Sequence, residues 1–118
     1  MFRFEELEIW RLSIEYGKRC YKVASGFPKY EMYGLADQLR RAGVSISNNI
    51  AEGSVGSGVN FKRYLIIAIG SVFETVNISY FAYETKYIKN EARQELYDDA
   101  QMLIKKIRAF SQSLSARG

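Results

Sequence analysis

The sequence predicts an all-α protein in which a single domain, residues 1–118, forms an antiparallel up-down-up-down four-helix bundle. Four segments repeat apolar residues at alternating spacings of three and four, the period of an amphipathic helix. The 118 residues include a single proline, so that long helices can run unbroken. The period-two alternation typical of strands is weak throughout, and the connections between the four segments are short. Short connections favour antiparallel packing of neighbouring helices.

The first helix is predicted over residues 5–24 and ends where Gly26 and Pro28 interrupt the pattern. The second is predicted over residues 31–54. It contains the stretch RRAGVSISNNIAEG, whose β-branched and small polar residues are poor or middling helix formers. The apolar period continues through that stretch, so we expect tertiary packing to override propensity. The two periodic series are Leu7, Trp10, Ile14, Gly17, Tyr21 and Ala24, then Leu35, Leu39, Ala42, Ile46, Asn49 and Gly53.

The third helix is predicted over residues 59–88, after the turn GSVGSG, with Ser57 or Asn60 as the N-cap. It carries two apolar series, which predicts contacts with several neighbours. The fourth helix is predicted over residues 91–115 and has one clear series. The series are, in the third helix, Phe61, Leu65, Ala68, Val72 and Val76 beside Ile66, Ile69, Phe73 and Tyr80, and in the fourth, Leu96, Ala100, Leu103, Ile107, Phe110 and Leu114.

Small residues on the second helix predict a close approach of another backbone. Gly43, Ser47 and Ala51 are four apart and share a face, and Gly70 and Ser71 of the third helix are the expected counterparts. A neighbouring face is polar and consists of Arg41, Ser45, Asn48 and Glu52. This polar face either forms an internal hydrogen-bonded layer that fixes register or is solvated.

Composition excludes several kinds of chemistry. The chain has no histidine and one cysteine, Cys20, which removes Ser-His-Asp and Cys-His catalysis, most zinc sites and any internal disulfide. The first ten residues do not resemble a signal peptide, and the longest apolar run, YLIIAIG, is too short to span a membrane. We therefore expect a cytoplasmic protein that has no contact with a membrane. The net charge of +4 and the isoelectric point near 9.2 suit an anionic partner.

One family shares the motifs of the second and third helices. The segments YGLADQLRRAGVSISNNIAEG and FKRYLIIAIGSVFE resemble the bacterial four-helix-bundle proteins encoded in intervening sequences of 23S ribosomal RNA genes, and the similarity spans nearly the whole chain. The matching positions are Gly34-Leu35, Gln38, Arg40, Arg41, Ala42, Ser45-Ile46, Asn49 to Gly53, Ala68, Gly70, Ser71 and Glu74.

The resemblance implies a four-helix bundle that assembles into a homo-oligomer, in this family usually a pentameric ring. It also implies nucleic-acid binding, because related proteins serve as accessory factors of reverse transcriptases in diversity-generating retroelements. A reverse-transcriptase-like protein is therefore a candidate partner beside RNA or DNA. The turn SVGSGVN carries no basic residue, whereas the family often has basic residues there. This departure weakens the case for a nucleic-acid contact at this turn.

Basic residues on all four helices are the candidates for nucleic-acid binding, because each phosphate contact releases counterions. In an antiparallel bundle the first and third helices begin at the same end, and the second helix begins at the other. Arg40 and Arg41, in the first half of the second helix, are therefore expected far from Lys62 and Arg63, at the start of the third. A ring would multiply such patches. The alternative is a solvated face of mixed charge. The candidates are Lys18, Arg19, Arg40, Arg41, Lys62, Arg63, Lys105, Lys106 and Arg108.

Three further features admit two interpretations each. The aromatics Tyr80, Phe81, Tyr83 and Tyr87 suit a subunit interface better than stacking on bases. Glu52 and Glu74 suit ion pairs with arginines better than an acid–base pair. Cys20 lies among cations that would lower its pKa, yet a lone helical cysteine is usually a packing residue.

We therefore predict no catalytic, metal or cofactor site. The sequence favours a non-enzymatic oligomer that binds nucleic acid by charge, and the alternative is a structural or adaptor protein that binds a protein partner.

Overall fold

The computed structural model describes residues 1–116 and contains four α-helices in that range. Consecutive helices pack against one another and α1 packs against α4, which closes the bundle and confirms the predicted fold class. The bundle measures 47 × 23 × 20 Å. The helices are α1 (Glu8–Ser25), α2 (Leu35–Gly53), α3 (Gly58–Glu84) and α4 (Asn90–Ala116), and short 3-10 helices cover Arg3–Glu6 and Lys29–Glu31.

Local hydrogen bonds set the helix ends that periodicity misplaced. The second helix begins at Leu35, not at residue 31, because the Glu31 carboxylate accepts the Leu35 N–H at 3.0 Å and caps the first turn. The third helix ends at Glu84, four residues early, because Lys86 has φ 68° and the chain leaves the helical region there. Ser57 is the N-cap of α3, and its hydroxyl accepts the Asn60 N–H at 3.3 Å.

The buried face of α1 overlaps the predicted series in part, and Leu7 and Trp10 of that series pack against the edge of the core. Of the predicted series, Gly17 and Ala24 are buried, whereas Tyr21 is exposed. The face that enters the core carries polar atoms, which hid it from a search for apolar residues. The Tyr16 hydroxyl bonds the Thr75 hydroxyl at 2.7 Å, and this partner makes its burial tolerable. The buried residues of α1 are Ile9, Ser13, Tyr16, Gly17, Cys20 and Ala24.

One of the two apolar series of α3 is confirmed as core and the other is not. The series that begins at Phe61 is buried, apart from the half-buried Val76, and the α4 series is also buried, apart from the half-buried Phe110. In the second α3 series, Ile66, Phe73 and Tyr80 are exposed. The helix α3 does contact several neighbours, namely α2, α4 and, through Thr75, Tyr16 of α1, but the exposed members of the second series do not make these contacts.

The small residue Gly43 does admit a close backbone, but the neighbour was predicted wrongly. A Cβ atom on Gly43 would lie 2.9 Å from the Cys20 Cβ and 3.4 Å from the Gly17 Cα, so that the counterpart is α1. A Cβ atom on Gly70 would meet nothing within 4 Å. Gly70 is therefore not a packing glycine within the chain.

The polar face of α2 is mostly solvated. Arg41, Asn48 and Glu52 are exposed, and only Ser45 of the four reaches a neighbouring helix. The Ser45 and Ser71 hydroxyls lie 2.9 Å apart, and Asn49 donates to the Ser45 hydroxyl at 3.1 Å. This cluster fixes the register of α2 against α3.

Candidate nucleic-acid interface

The antiparallel order divides the candidate cations between two ends of the bundle. We call lower the end that holds the turn 54–57, where the Arg3 guanidinium donates to the Ser54 carbonyl at 3.1 Å. The opposite, upper end holds Lys29–Glu31. The Phe61 and Phe110 rings, 5.3 Å apart, place the second half of α4 beside the start of α3 in the lower half.

Five of the nine candidate cations form ion pairs with four carboxylates, because Arg40 and Arg41 share Asp37. Such surface pairs contribute little stability, but they reduce the positive potential offered to a phosphate. The ion pairs are Lys18–Glu15 at 3.4 Å, Arg19–Asp99 at 2.7 Å, Arg40–Asp37 at 3.7 Å, Arg41–Asp37 at 2.9 Å and Lys106–Glu8 at 3.3 Å.

Arg40 has a structural role in addition to its ion pair. It is half-buried, and its guanidinium donates to the Met32 carbonyl at 2.8 Å. This bond holds the connection between α1 and α2 against the first turns of α2. Arg41 is exposed and bonds only Asp37 among the residues that the structure describes.

Four candidate cations have no carboxylate partner among the described residues: Lys62, Arg63, Lys105 and Arg108. We call them the unpaired cations. Lys62 and Arg63 lie in the first turns of α3, and Lys105 and Arg108 lie in the second half of α4, so that all four are in the lower half of the bundle. The sequence contains the cations but does not show which of them are neutralised.

The register places Arg41 far from the unpaired cations of α3. Ser45 lies opposite Ser71, so Arg41 and Lys62 are separated by about 13 residues of helical rise, or roughly 20 Å. The arginines of α2 and the unpaired cations of α3 therefore form separate surfaces on one chain.

A groove between α3 and α4, of about 660 Å³, brings aromatic and cationic side chains together. The sequence analysis did not find it, because its residues come from two helices and have no common spacing. We call it the α3–α4 groove. Its principal lining residues are Phe73, Tyr97, Gln101, Ile104, Lys105 and Arg108.

The aromatic cluster of α3 divides into two parts. Tyr87 is structural: its hydroxyl donates to Glu31 at 2.8 Å. Hydrogen bonding with Tyr30 and then with Glu31 raises the pKa of Tyr87, and the bond from Tyr87 helps to lower the pKa of Glu31. The Leu35 N–H, bonded to the same carboxylate, is the larger cause of the Glu31 shift. Tyr80 and Tyr83 are exposed and flank the Arg93 guanidinium, which lies 4.7 Å from the Tyr80 ring centre.

The two candidate carboxylates do not form a pair. Gly53 packs on Tyr64 and Ser45 lies opposite Ser71, so Glu52 and Glu74 are about ten residues of rise, or roughly 15 Å, apart along the bundle. Neither forms an ion pair with Arg40 or Arg41 within the described part of the chain. Within that part, no three His, Cys, Asp or Glu side chains cluster as metal ligands would.

Cys20 is a packing residue. It is fully buried against Gly43, and burial raises the pKa of its thiol to about 12, so that the neighbouring cations of α1 do not activate it.

We expect the unfolding free energy to fall at alkaline pH, because the unfolded thiol ionises near its ordinary pKa of about 8.5 whereas the folded one stays protonated. The stabilisation is complete below that pKa and is lost as pH rises towards the folded value. Urea titrations at about pH 7.5 and about pH 9.5 should differ by about 1 kcal/mol. Tyr16, whose pKa is also raised chiefly by burial, ionises at higher pH. A C20A variant should show a smaller difference in unfolding free energy between the two pH values. An equal difference would contradict the assignment of this pH dependence to Cys20.

The helix α3 is long and apolar enough to span a membrane by length and composition alone, which the longest apolar run did not indicate. Less than half of its most apolar window is buried. Core helices of soluble proteins pass the same test, so the finding is weak evidence for a span.

Comparisons with known proteins show similarity to one family model and to solved structures. The model of a family described as 23S rRNA-intervening sequence protein matches residues 5–109. A solved structure from Bacteroides thetaiotaomicron, a protein with unknown function from the S23 ribosomal protein family, is similar with a TM-score of 0.79 and 23% sequence identity. The match covers 87% of this chain and 97% of that chain, and at this identity it shows the shared fold. No curated protein matches.

Proposed function

Because the chain belongs to the 23S rRNA-intervening sequence protein family, with residues 5–109 matched, we propose that it is a non-enzymatic homo-oligomer that binds RNA or DNA through basic surface. The observation that carries the proposal is the set of four unpaired cations in the lower half of the bundle. Cations without acidic neighbours exchange their counterions for phosphates at little electrostatic cost. In the cytoplasm, the location we propose, RNA and DNA are both accessible.

Assembly increases the number of these cations on one particle. The outer face of α3 exposes the neighbouring side chains of Ile66 and Ile67 and, further along the helix, that of Phe81, and burying them against another copy would be favourable. A second copy covering this face would carry its own unpaired cations, so that binding becomes multivalent. The resemblance to pentameric relatives supports a ring of five subunits.

The same exposed face supports a second candidate function. A protein adaptor would use it to bind a partner, for example a reverse-transcriptase-like protein, without contact to nucleic acid. A titration at low salt separates the two functions, because only the first requires binding to a polyanion in the absence of any partner.

We expect replacement of all four unpaired cations by glutamine to remove most of the binding. For contact by one subunit that neutralises four phosphates, raising salt from about 50 to about 200 mM should weaken wild-type binding about 100-fold, and contact by further subunits increases this factor. The variant should lose this dependence and bind weakly at both concentrations. Fluorescence anisotropy with labelled single-stranded RNA and duplex DNA measures both quantities.

The matched control removes four cations that are paired: Lys18, Arg19, Arg41 and Lys106. Both variants have the same net charge, so a general loss of positive charge would lower their affinities for nucleic acid equally. The proposal instead expects the control to keep most of its affinity. Arg40 is left intact because it holds the Met32 carbonyl. Equal loss in the two variants would contradict the assignment to the lower half. Absence of wild-type binding at low salt would leave the adaptor function.

A further inference from the structure

We propose that the α3–α4 groove is a site for single-stranded nucleic acid, with bases against Phe73 and Tyr97 and phosphates at Lys105 and Arg108. The inference rests on the proposed function and adds to it a strand type and a location. Proteins that bind single strands combine a cationic groove with aromatic rings on which bases stack. The α3–α4 groove combines both.

The apolar wall of the groove contains a ring that is free to stack. Phe73 is 55% exposed, although it lies in the middle of α3, and it belongs to no aromatic pair among the described residues. Tyr97 faces it from α4 and is held edge-on to Tyr80, with ring centres 6.4 Å apart. The volume of about 660 Å³ is within the usual range of ligand sites.

The charge of the groove selects an anionic ligand. Lys105 and Arg108 both line it and are both unpaired, and none of its lining residues is acidic. The side-chain amides of Gln101 and Gln112 add hydrogen-bonding groups that suit base edges or sugar hydroxyls. An apolar floor beside unpaired cations matches a chain of flat bases and phosphates.

Two other grooves of the bundle lack this combination. The groove between α1 and α4, of about 470 Å³, contains the cations Arg19, Lys22 and Lys89, but Glu91, Glu95 and Asp99 line it as well. The groove between α1 and α2, also about 470 Å³, contains Tyr21 and Lys18, and Lys18 is paired with Glu15.

The apolar floor favours a single strand over a duplex. In a duplex the base faces are stacked inside, and only phosphates and groove edges reach the protein. An unpaired strand turns its bases outward and can bury them against Phe73. The unpaired cations alone would attract both forms, so the difference in affinity measures the contribution of the groove.

The test compares a single-stranded RNA that cannot pair with itself and the duplex that it forms with its complement. We expect the single strand to bind more tightly at the same salt concentration. Phe73→Ala should weaken binding of the single strand about 5- to 150-fold, the range found for one base–aromatic stack, and leave the affinity for the duplex unchanged. Phe73→Tyr, which keeps a ring, should restore the affinity.

The matched control is Tyr21→Ala, because Tyr21 is 49% exposed and lines the groove between α1 and α2. It should change neither affinity. Thermal unfolding and native mass of each variant establish that fold and assembly are intact.

Three outcomes would overturn the inference. In the first, Phe73→Ala leaves the affinity for the single strand unchanged. In the second, it lowers the affinities for the single strand and the duplex equally. In the third, it lowers the native mass, which would show that the groove is a contact between copies. In all three cases the proposed function would still hold if binding depends on salt and is lost when the unpaired cations are replaced by glutamine. Failure of the wild-type protein to bind either RNA at low salt would overturn both.

Discussion

Replacing Gly43 by leucine is expected to lower the unfolding free energy by about 3 kcal/mol, the upper part of the range for overpacking a core. A Cβ atom there would lie 2.9 Å from the Cys20 Cβ, closer than such atoms approach one another, and Cys20 is itself fully buried. The leucine side chain would have to push α1 away from α2. The loss should lower the melting temperature by roughly 10 °C.

The matched control is Gly58→Leu. Gly58 begins α3, and a Cβ atom there would meet nothing within 4 Å. Its unfolding free energy should therefore stay within about 0.5 kcal/mol of the wild-type value. Circular-dichroism melting and urea titration measure both variants. If Gly43→Leu were as stable as Gly58→Leu, α1 and α2 would not approach as closely as the structure shows.

Replacing Ile66 and Ile67 together by aspartate is expected to dissociate the oligomer. These side chains are 70% and 52% exposed on one chain, and burying each against another copy would contribute about 2 kcal/mol. Unpaired aspartates on a covered face cost more than that contribution. Native mass spectrometry should then find single subunits of 13.6 kDa that keep their helix content.

Two other exposed apolar residues supply the control for this pair. Val55 is 88% exposed in the turn before α3, and Met102 is 60% exposed on α4, so neither lies on the outer face of α3. Their double replacement by aspartate should leave the native mass unchanged. A wild-type protein of one subunit, or equal dissociation by both double variants, would contradict an assembly through the outer face of α3. Dissociation should also weaken nucleic-acid binding, because it removes multivalency.

The helices could be predicted well from the sequence because their signal is local. Periodicity located four segments, and of the two residues proposed as the N-cap of α3, Ser57 is the one that caps it. The ends depended on contacts that no spacing contains. The Glu31 carboxylate accepts the Leu35 N–H at the start of α2 and also the hydroxyl of Tyr87, 56 positions further along the chain. These two bonds hold the connection before α2 outside the helix.

The candidate site was predicted less completely, because charge neutralisation is a property of pairs. All nine cations were visible, but Arg19 is neutralised by Asp99, 80 residues further along the chain. The same holds for apolar surface: Phe61 and Phe73 look alike in an amphipathic pattern, yet one is buried and the other lines a groove.

The sequence by itself determined that four helices form and that a poor helix-forming stretch around Gly43 is helical, because the apolar period and the small residues act within a few turns. Only the tertiary structure decided that Gly43 packs on α1, that four cations remain unpaired and that aromatic and basic side chains share the α3–α4 groove. These depend on which helix faces meet, and that is fixed by the fit of side chains distant in sequence.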